Sequence, residues 1–218
     1  MMRRLAQVVT AAVIFAIGAS TARAADDAPD ATGDASNMRL FGVLPNYTTV
    51  DNVRVPNQTT HEAFRTAALG SFDPVVFPFI GVMTLVGSSD ANANYETRYS
   101  RAFADNAIGN FMTTAIAPSL TNEDSRYFRR GTGGVLSRLS YAASRSVVTR
   151  KRSGGATFNI SEIGGTAAAA GLSNIYYSPA DRTTNATLVR WGMQVMWDTV
   201  ANEAKEFWPD IHAKLHRH

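Results

Sequence analysis

The sequence predicts an all-α fold: a compact bundle of about five or six helices with an irregular N-terminal arm. Three observations carry this. Apolar residues recur at three- and four-residue spacing through 95–117, 135–149 and 183–207. Breakers and caps (Asp73-Pro74, Pro118, Gly131–Gly134, Pro179) stand where such runs would start or stop. Residues 38–218 are enough chain for one domain around one core, with a frayed C-terminal tail.

The elements follow in order. Residues 1–24 read as a signal peptide. Met1-Met2-Arg3-Arg4 gives a positive start, Leu5 to Ala19 is nearly free of polar side chains, and Ala22-Arg23-Ala24 offers small residues at the cleavage positions. The apolar run, about 15 residues, is short of the ~20 that a membrane span needs. The mature chain is therefore expected to begin near Ala25 in an extracytoplasmic compartment. Removing Arg3, Arg4 and Arg23 takes the 21 Lys and Arg to 18, equal to the 18 Asp and Glu. That balance argues against nucleic acid as a partner. The chain has no Cys, so disulfides and lipid attachment through Cys are excluded. Residues 25–37 (AADDAPDATGDAS) form a disordered acidic lead-in, and 38–60 an irregular arm with room for a short strand.

Thr60 is positioned to cap a helix over 61–69 stopped by Gly70, and Asp73-Pro74 to open an apolar helix over 75–86. Over 95–117, Phe103, Ala107, Phe111 and Ala115 form one stripe, and Pro118 ends the helix. Residues 123–130 read as a charged turn or short helix. A helix over 135–149 puts Leu136, Leu139, Ala143 and Val147 on one face, and 150–155 is a tight basic connection. A helix over 159–176 carries Gly164, Ala168 and Gly171 on one side, a surface a neighbouring helix can approach closely. The last helix, from Thr183 or Thr184 to about Phe207, is apolar on two sides: Val189, Met193, Met196 and Val200 on one, Trp191 and Val195 on the other. Such a helix is central or meets a partner.

Candidate chemistry rests on charges set among apolar residues. Arg101 and Asp105, four apart, form either a structural ion pair or a tuned acid. Arg138, Tyr141 and Arg145 share one side of their helix, where they grip an anionic ligand or face solvent. Glu162, Asp198 and Glu203 are natural partners for these arginines. His212 and His216 have metal-ligand spacing but no acid ligand follows, so no metal site is assigned. No cofactor is implied. G-x-S-x-G, H-E-x-x-H, P-loop and G-x-G-x-x-G patterns are absent.

Phe41-Gly42-Val43-Leu44-Pro45-Asn46, Ile108-Gly109-Asn110-Phe111, Arg126-Tyr127-Phe128-Arg129, Gly171-Leu172-Ser173-Asn174 and Glu206-Phe207-Trp208-Pro209-Asp210 together resemble a family of exported, mainly acidobacterial proteins of unknown function. The resemblance spans about 41–211. It implies a single extracytoplasmic domain and transfers no catalytic residue. Three readings follow. The first is a non-catalytic, periplasmic cell-envelope protein resting on another envelope protein or a membrane surface. The second is an enzyme or anionic-ligand-binding protein with a pocket between helices, lined by Arg101, Asp105, Arg138, Tyr141, Arg145 and Glu162. The third is a membrane-embedded assembly using 74–87 and 159–176. Oligomeric state is left open. Expression with an intact export pathway is expected to yield a chain whose N-terminus, read by mass spectrometry, is Ala25; a retained Met1 or Met2 contradicts the leader.

Overall fold

The structure is a computed structural model that describes residues 39–51, 55–86 and 93–215. The leader, the acidic lead-in, His216 and His218 lie outside the described residues. Six helices are described, together with two small sheets, so the fold is mostly helical rather than all-α.

Helix α1 (Thr60–Phe72) begins one residue earlier than expected because Thr59 is its cap. The Thr59 hydroxyl accepts the Glu62 N–H at 3.2 Å and the Glu62 carboxylate accepts the Thr59 N–H at 2.7 Å, a reciprocal capping box. Gly70 does not stop the helix. It lies inside it, where a Cβ would sit 2.8 Å from Asn110 Nδ2. Its absence lets Asn110 donate to the Ala67 carbonyl and the Ser71 hydroxyl at 3.1 and 3.0 Å. Asp73 opens α2 (Val76–Val86), accepting the Val75 N–H at 3.0 Å. The same carboxylate pairs with Arg39 at 2.9 Å and accepts the Tyr47 hydroxyl at 2.8 Å, which pins the N-terminal arm to the helices.

Helix α3 (Tyr95–Phe111) continues through a π-helical turn (Met112–Ile116) into a last turn (Ala117–Thr121). Pro118 therefore does not end it. The widened turn shifts the ladder, and Pro118 enters as an early residue of the next turn, where a missing N–H costs little. At the π turn α5 (Ile160–Ser173) comes closest: a Cβ on Gly165 would lie 3.2 Å from the Met112 carbonyl. The close approach thus uses Gly165, with Ala169 and Ala170 also buried. The predicted stripe of Gly164, Ala168 and Gly171 faces outward.

One strand lies in the N-terminal arm, which had room for it; the others lie where a charged turn, a helix end and a basic connection are expected. β1 (Thr49–Asp51) pairs in parallel with β3 (Tyr127–Arg129), and β2 (Glu123–Asp124), β4 (Val148–Lys151) and β5 (Ala156–Phe158) form an antiparallel sheet in the order β2-β4-β5. Val147-Val148-Thr149, β-branched in succession, leave the helix for the strand. Helix α4 (Val135–Ser144) accordingly ends five residues early. Gly154 and Gly155, at φ +91° and +83°, close the β4–β5 hairpin. Among the described residues no single helix is long and apolar enough to cross a membrane; α1 and α2 together would pass by length but are bent by 54°.

Helix α6 (Thr184–Leu215) runs 32 residues, past Phe207 and through Pro209. Its far half is held by Glu206, which is fully buried. The Glu206 carboxylate accepts the Tyr127 hydroxyl at 2.8 Å, the Arg130 and Gly131 N–H groups at 3.0 and 2.9 Å, and Arg138 Nε at 2.8 Å. Arg138 Nη2 also donates to the Glu206 carbonyl at 2.6 Å, and Arg138 Nη1 pairs with Asp210. Arg129 bridges Asp210 and Asp51, each at 3.1 Å. This network turns α4 over. Arg138 and Ala142 are its buried residues, while Leu136, from the face predicted to be inward, is 80% exposed.

Burial on its own pushes the Glu206 carboxyl up. The hydrogen bonds from Arg138, Tyr127, Gly131 and Arg130 outweigh it and hold the carboxyl below its ordinary range. The fold therefore prefers the ionised form. Its stabilisation is complete above the unfolded-chain value and drains away as pH falls through the lower folded value. Glu206→Ala leaves Arg138 Nε, the Tyr127 hydroxyl and two backbone donors without their acceptor and is expected to cost about 3–5 kcal/mol, read as a fall in the urea midpoint at pH 7. A midpoint within error of wild type would contradict the network.

Candidate functional site

Phe77 of α2 stacks on Phe103 of α3 at 5.2 Å, but farther along α2 the packing opens toward α6. Ile80, Met83, Met193 and Trp197 instead border a cavity of about 1360 Å³ between the helices. Small-molecule sites commonly run to ~300–1,000 Å³, so this space admits a long ligand. Its wall is apolar with polar groups gathered in three places.

The first is an acid–lysine cluster. Asn159 caps α5 by accepting the Glu162 N–H at 2.9 Å, which sets Glu162 on the first turn with its side chain toward α6. Asp198 and Lys205 lie seven apart on α6, two turns along one face, and both border the cavity with Glu162. The Glu162 and Asp198 carboxyls meet within hydrogen-bonding reach. Glu162 Oε1 is buried and receives no bond from any N–H or O–H of the described residues, so the pair has to carry its own proton. Burial, followed by the Asp198 carboxylate, pushes Glu162 up to about 9; Lys205 opposes this. Burial raises Asp198 as well. Lys205 moves the other way: burial lowers it, against the pull of the two acids.

The second place is Asp105 on α3. Its two oxygens accept the Tyr176 and Tyr177 hydroxyls at 2.5 and 2.6 Å. Burial raises the Asp105 carboxyl, and the two tyrosine bonds only partly offset that. Both tyrosine hydroxyls are raised by burial and by the Asp105 carboxylate. Arg190 and Arg101 lie over the Tyr177 ring, 4.3 and 5.1 Å from its centroid.

The third is a basic end built on β3, β4 and α4. Arg145 stacks over Tyr141 at 4.7 Å and Arg150 over Phe128 at 5.0 Å, and all four border the cavity. The Tyr141 hydroxyl donates to the Phe128 carbonyl at 2.6 Å, which fixes the two rings relative to one another. Arg126, also beside Phe128, is neutralised by Asp124 at 2.7 Å. Arg145 and Arg150 have no carboxylate partner among the described residues. Arg145 bonds only the Ser144 hydroxyl, at 3.3 and 3.1 Å.

Of the six residues singled out in the sequence, Asp105, Tyr141, Arg145 and Glu162 border this one cavity. Arg101 stands beside it against Tyr177, and Arg138 is withdrawn into the Glu206 network. The expected Arg partners, Glu162 and Asp198, pair with each other instead. Glu206, Lys205 and Arg150 were not singled out. Lys205 stands between Glu203 and Glu206, a charged stretch in which the sequence carries no signal of a cavity-facing lysine. No group of three or more His, Asp or Glu side chains among the described residues is arranged to hold a metal ion. A scan against family models, a search of curated proteins and a search of solved structures each found no match.

The folded chain keeps a proton on Glu162 that the unfolded chain releases near pH 4.5. Linkage therefore makes Glu162 a growing liability as pH rises from that value toward 9. Glu162→Gln is expected to match wild type in unfolding free energy near pH 5 and to exceed it increasingly toward pH 9. Parallel pH profiles for the two proteins would contradict the buried, protonated acid.

Proposed function

We propose that this chain is an exported, non-catalytic protein of the cell envelope that binds an anionic amphiphile between its helices. The observation that carries the reading is the pairing of a 1360 Å³ apolar cavity with two guanidinium groups, Arg145 and Arg150, that border it without a carboxylate partner among the described residues. Arg145 is half-buried and Arg150 exposed, so an anion entering from solvent can reach both. A ligand with a carboxylate, phosphate or sulfate head and an apolar body matches both features. The stacking on Tyr141 and Phe128 holds the guanidinium planes ready for bidentate contact. Export is supported by the leader pattern, and the charge balance of the mature chain is consistent with recognition by a local site rather than a global field.

Trp197 borders the cavity, whereas the Trp191 indole donates to the Ile163 carbonyl at 3.1 Å and Trp208 packs on Phe41. A brominated fatty acid is therefore expected to quench tryptophan emission saturably, and Trp197→Phe to remove most of that quenching. Arg145→Ala and Arg150→Ala should each weaken binding by about tenfold or more, the scale of one charge-assisted hydrogen bond. Non-saturable quenching that survives Trp197→Phe would sink the reading.

A further inference from the structure

Resting on the amphiphile reading, we propose that Lys205 captures a carbonyl-bearing ligand covalently, as an imine formed in the cavity with Glu162 and Asp198 as its proton relay. The geometry is specific to this lysine. Lys205 borders the cavity, yet its ammonium makes no hydrogen bond and no ion pair within 4.0 Å to any described residue. A lysine held among apolar helices normally reaches a carboxylate or escapes to water. Here Glu162 and Asp198 border the same cavity and act on Lys205 electrostatically, yet neither forms an ion pair with it. The nitrogen is thus both free to react and beside a proton store.

The chemistry balances without an outside oxidant or reductant. The lone pair of the neutral Lys205 Nζ attacks the carbonyl carbon, and the π pair of the C=O bond moves to oxygen, which takes the proton held by the Glu162–Asp198 pair. The nitrogen returns a proton to the pair, leaving a neutral carbinolamine. The pair then protonates the hydroxyl, water leaves, and the C–N bond becomes C=N as nitrogen gives up its last proton to the acids. The net change is amine plus carbonyl to imine plus water. Two features make the cavity suited to it. Burial favours the uncharged amine that attack requires. Glu162 is an acid that keeps its proton at neutral pH. The ligand class narrows to an amphiphilic aldehyde or ketone.

The sequence supplies its own controls, because the only other lysines are Lys151 and Lys214, both exposed. The full mature chain is incubated with decanal and cyanoborohydride at pH 7, and reductive adducts are mapped by mass spectrometry. Lys205 is expected to label about tenfold or more faster than Lys151 and Lys214, because burial at the cavity favours its neutral amine. A brominated fatty acid should protect Lys205 alone. Glu162→Gln, which keeps the shape but loses the acid, should slow Lys205 labelling while leaving Lys151 and Lys214 unchanged. Equal labelling of the three lysines overturns the capture step. If saturable Trp197 quenching persists in that sample, the amphiphile reading stands without it; if the quenching is also absent, that reading falls as well.

Discussion

The rotation of helix α6 about its own axis is set by Glu206, and the cavity depends on that rotation. A buried carboxylate is tolerable only when its lone pairs are filled. Glu206 fills them from three directions: Tyr127 on β3, the Arg130 and Gly131 backbone beyond it, and Arg138 on α4. Each bond fixes the same side of the helix. Pro209 reinforces this, since it has no N–H to give the Lys205 carbonyl, and in the same turn the Glu206 carbonyl is turned to two guanidinium groups, at 2.6 Å from Arg138 and 3.3 Å from Arg129. Successive helical residues stand about 100° apart. With Glu206 directed into the clamp, Lys205 and Asp198 are carried round to the cavity, opposite Glu162.

That arrangement explains why the polar side of α4 is buried and the apolar side exposed. Arg138 is worth more inside, completing Glu206 and Asp210, than Leu136 would be worth against a neighbour. A Leu side chain moved from water to a core gains about 1.5–3 kcal/mol. An uncompensated buried carboxylate forfeits about 3–5 kcal/mol. The electrostatic demand decides the face. The same demand is met at Asp105, where two tyrosine hydroxyls serve as donors to a carboxyl at the cavity wall.

What the sequence made legible follows this division. Periodicity shows which residues share a face, so the helices at 95–117, 135–149, 159–176 and 183–207 are present. Their ends are displaced wherever local geometry beats the local signal: the π turn carries α3 past Pro118, and Val147-Val148-Thr149 take the end of α4 into a strand. Periodicity does not say which face is inside. On α4 the inward position belongs to Arg138, where an apolar side chain is expected; on α5 both faces carry small residues, so spacing alone does not separate Gly164, Ala168 and Gly171 from the buried Gly165, Ala169 and Ala170. Four of six candidate site residues meet at one cavity because charges inside apolar runs are informative whichever way the helix turns. Glu206 escaped notice because it sits in a charged-looking stretch, Glu203 to Glu206, where solvent exposure is the ordinary expectation.

Clamp and cavity are therefore one construction with opposite electrostatic solutions on adjacent residues. Glu206 is satisfied by fixed donors, stays ionised and contributes rigidity. Lys205, its neighbour, is left without a fixed partner and pushed toward the neutral amine. A helix held only by apolar contacts would have little to prevent a small rotation that let Lys205 reach Asp198 and settle into an ion pair. The six bonds that fix Glu206, two to its carbonyl and four to its carboxylate, oppose that rotation. Reactivity at one position is maintained by saturation at the next, and this is why a network remote from any ligand controls what the cavity can do.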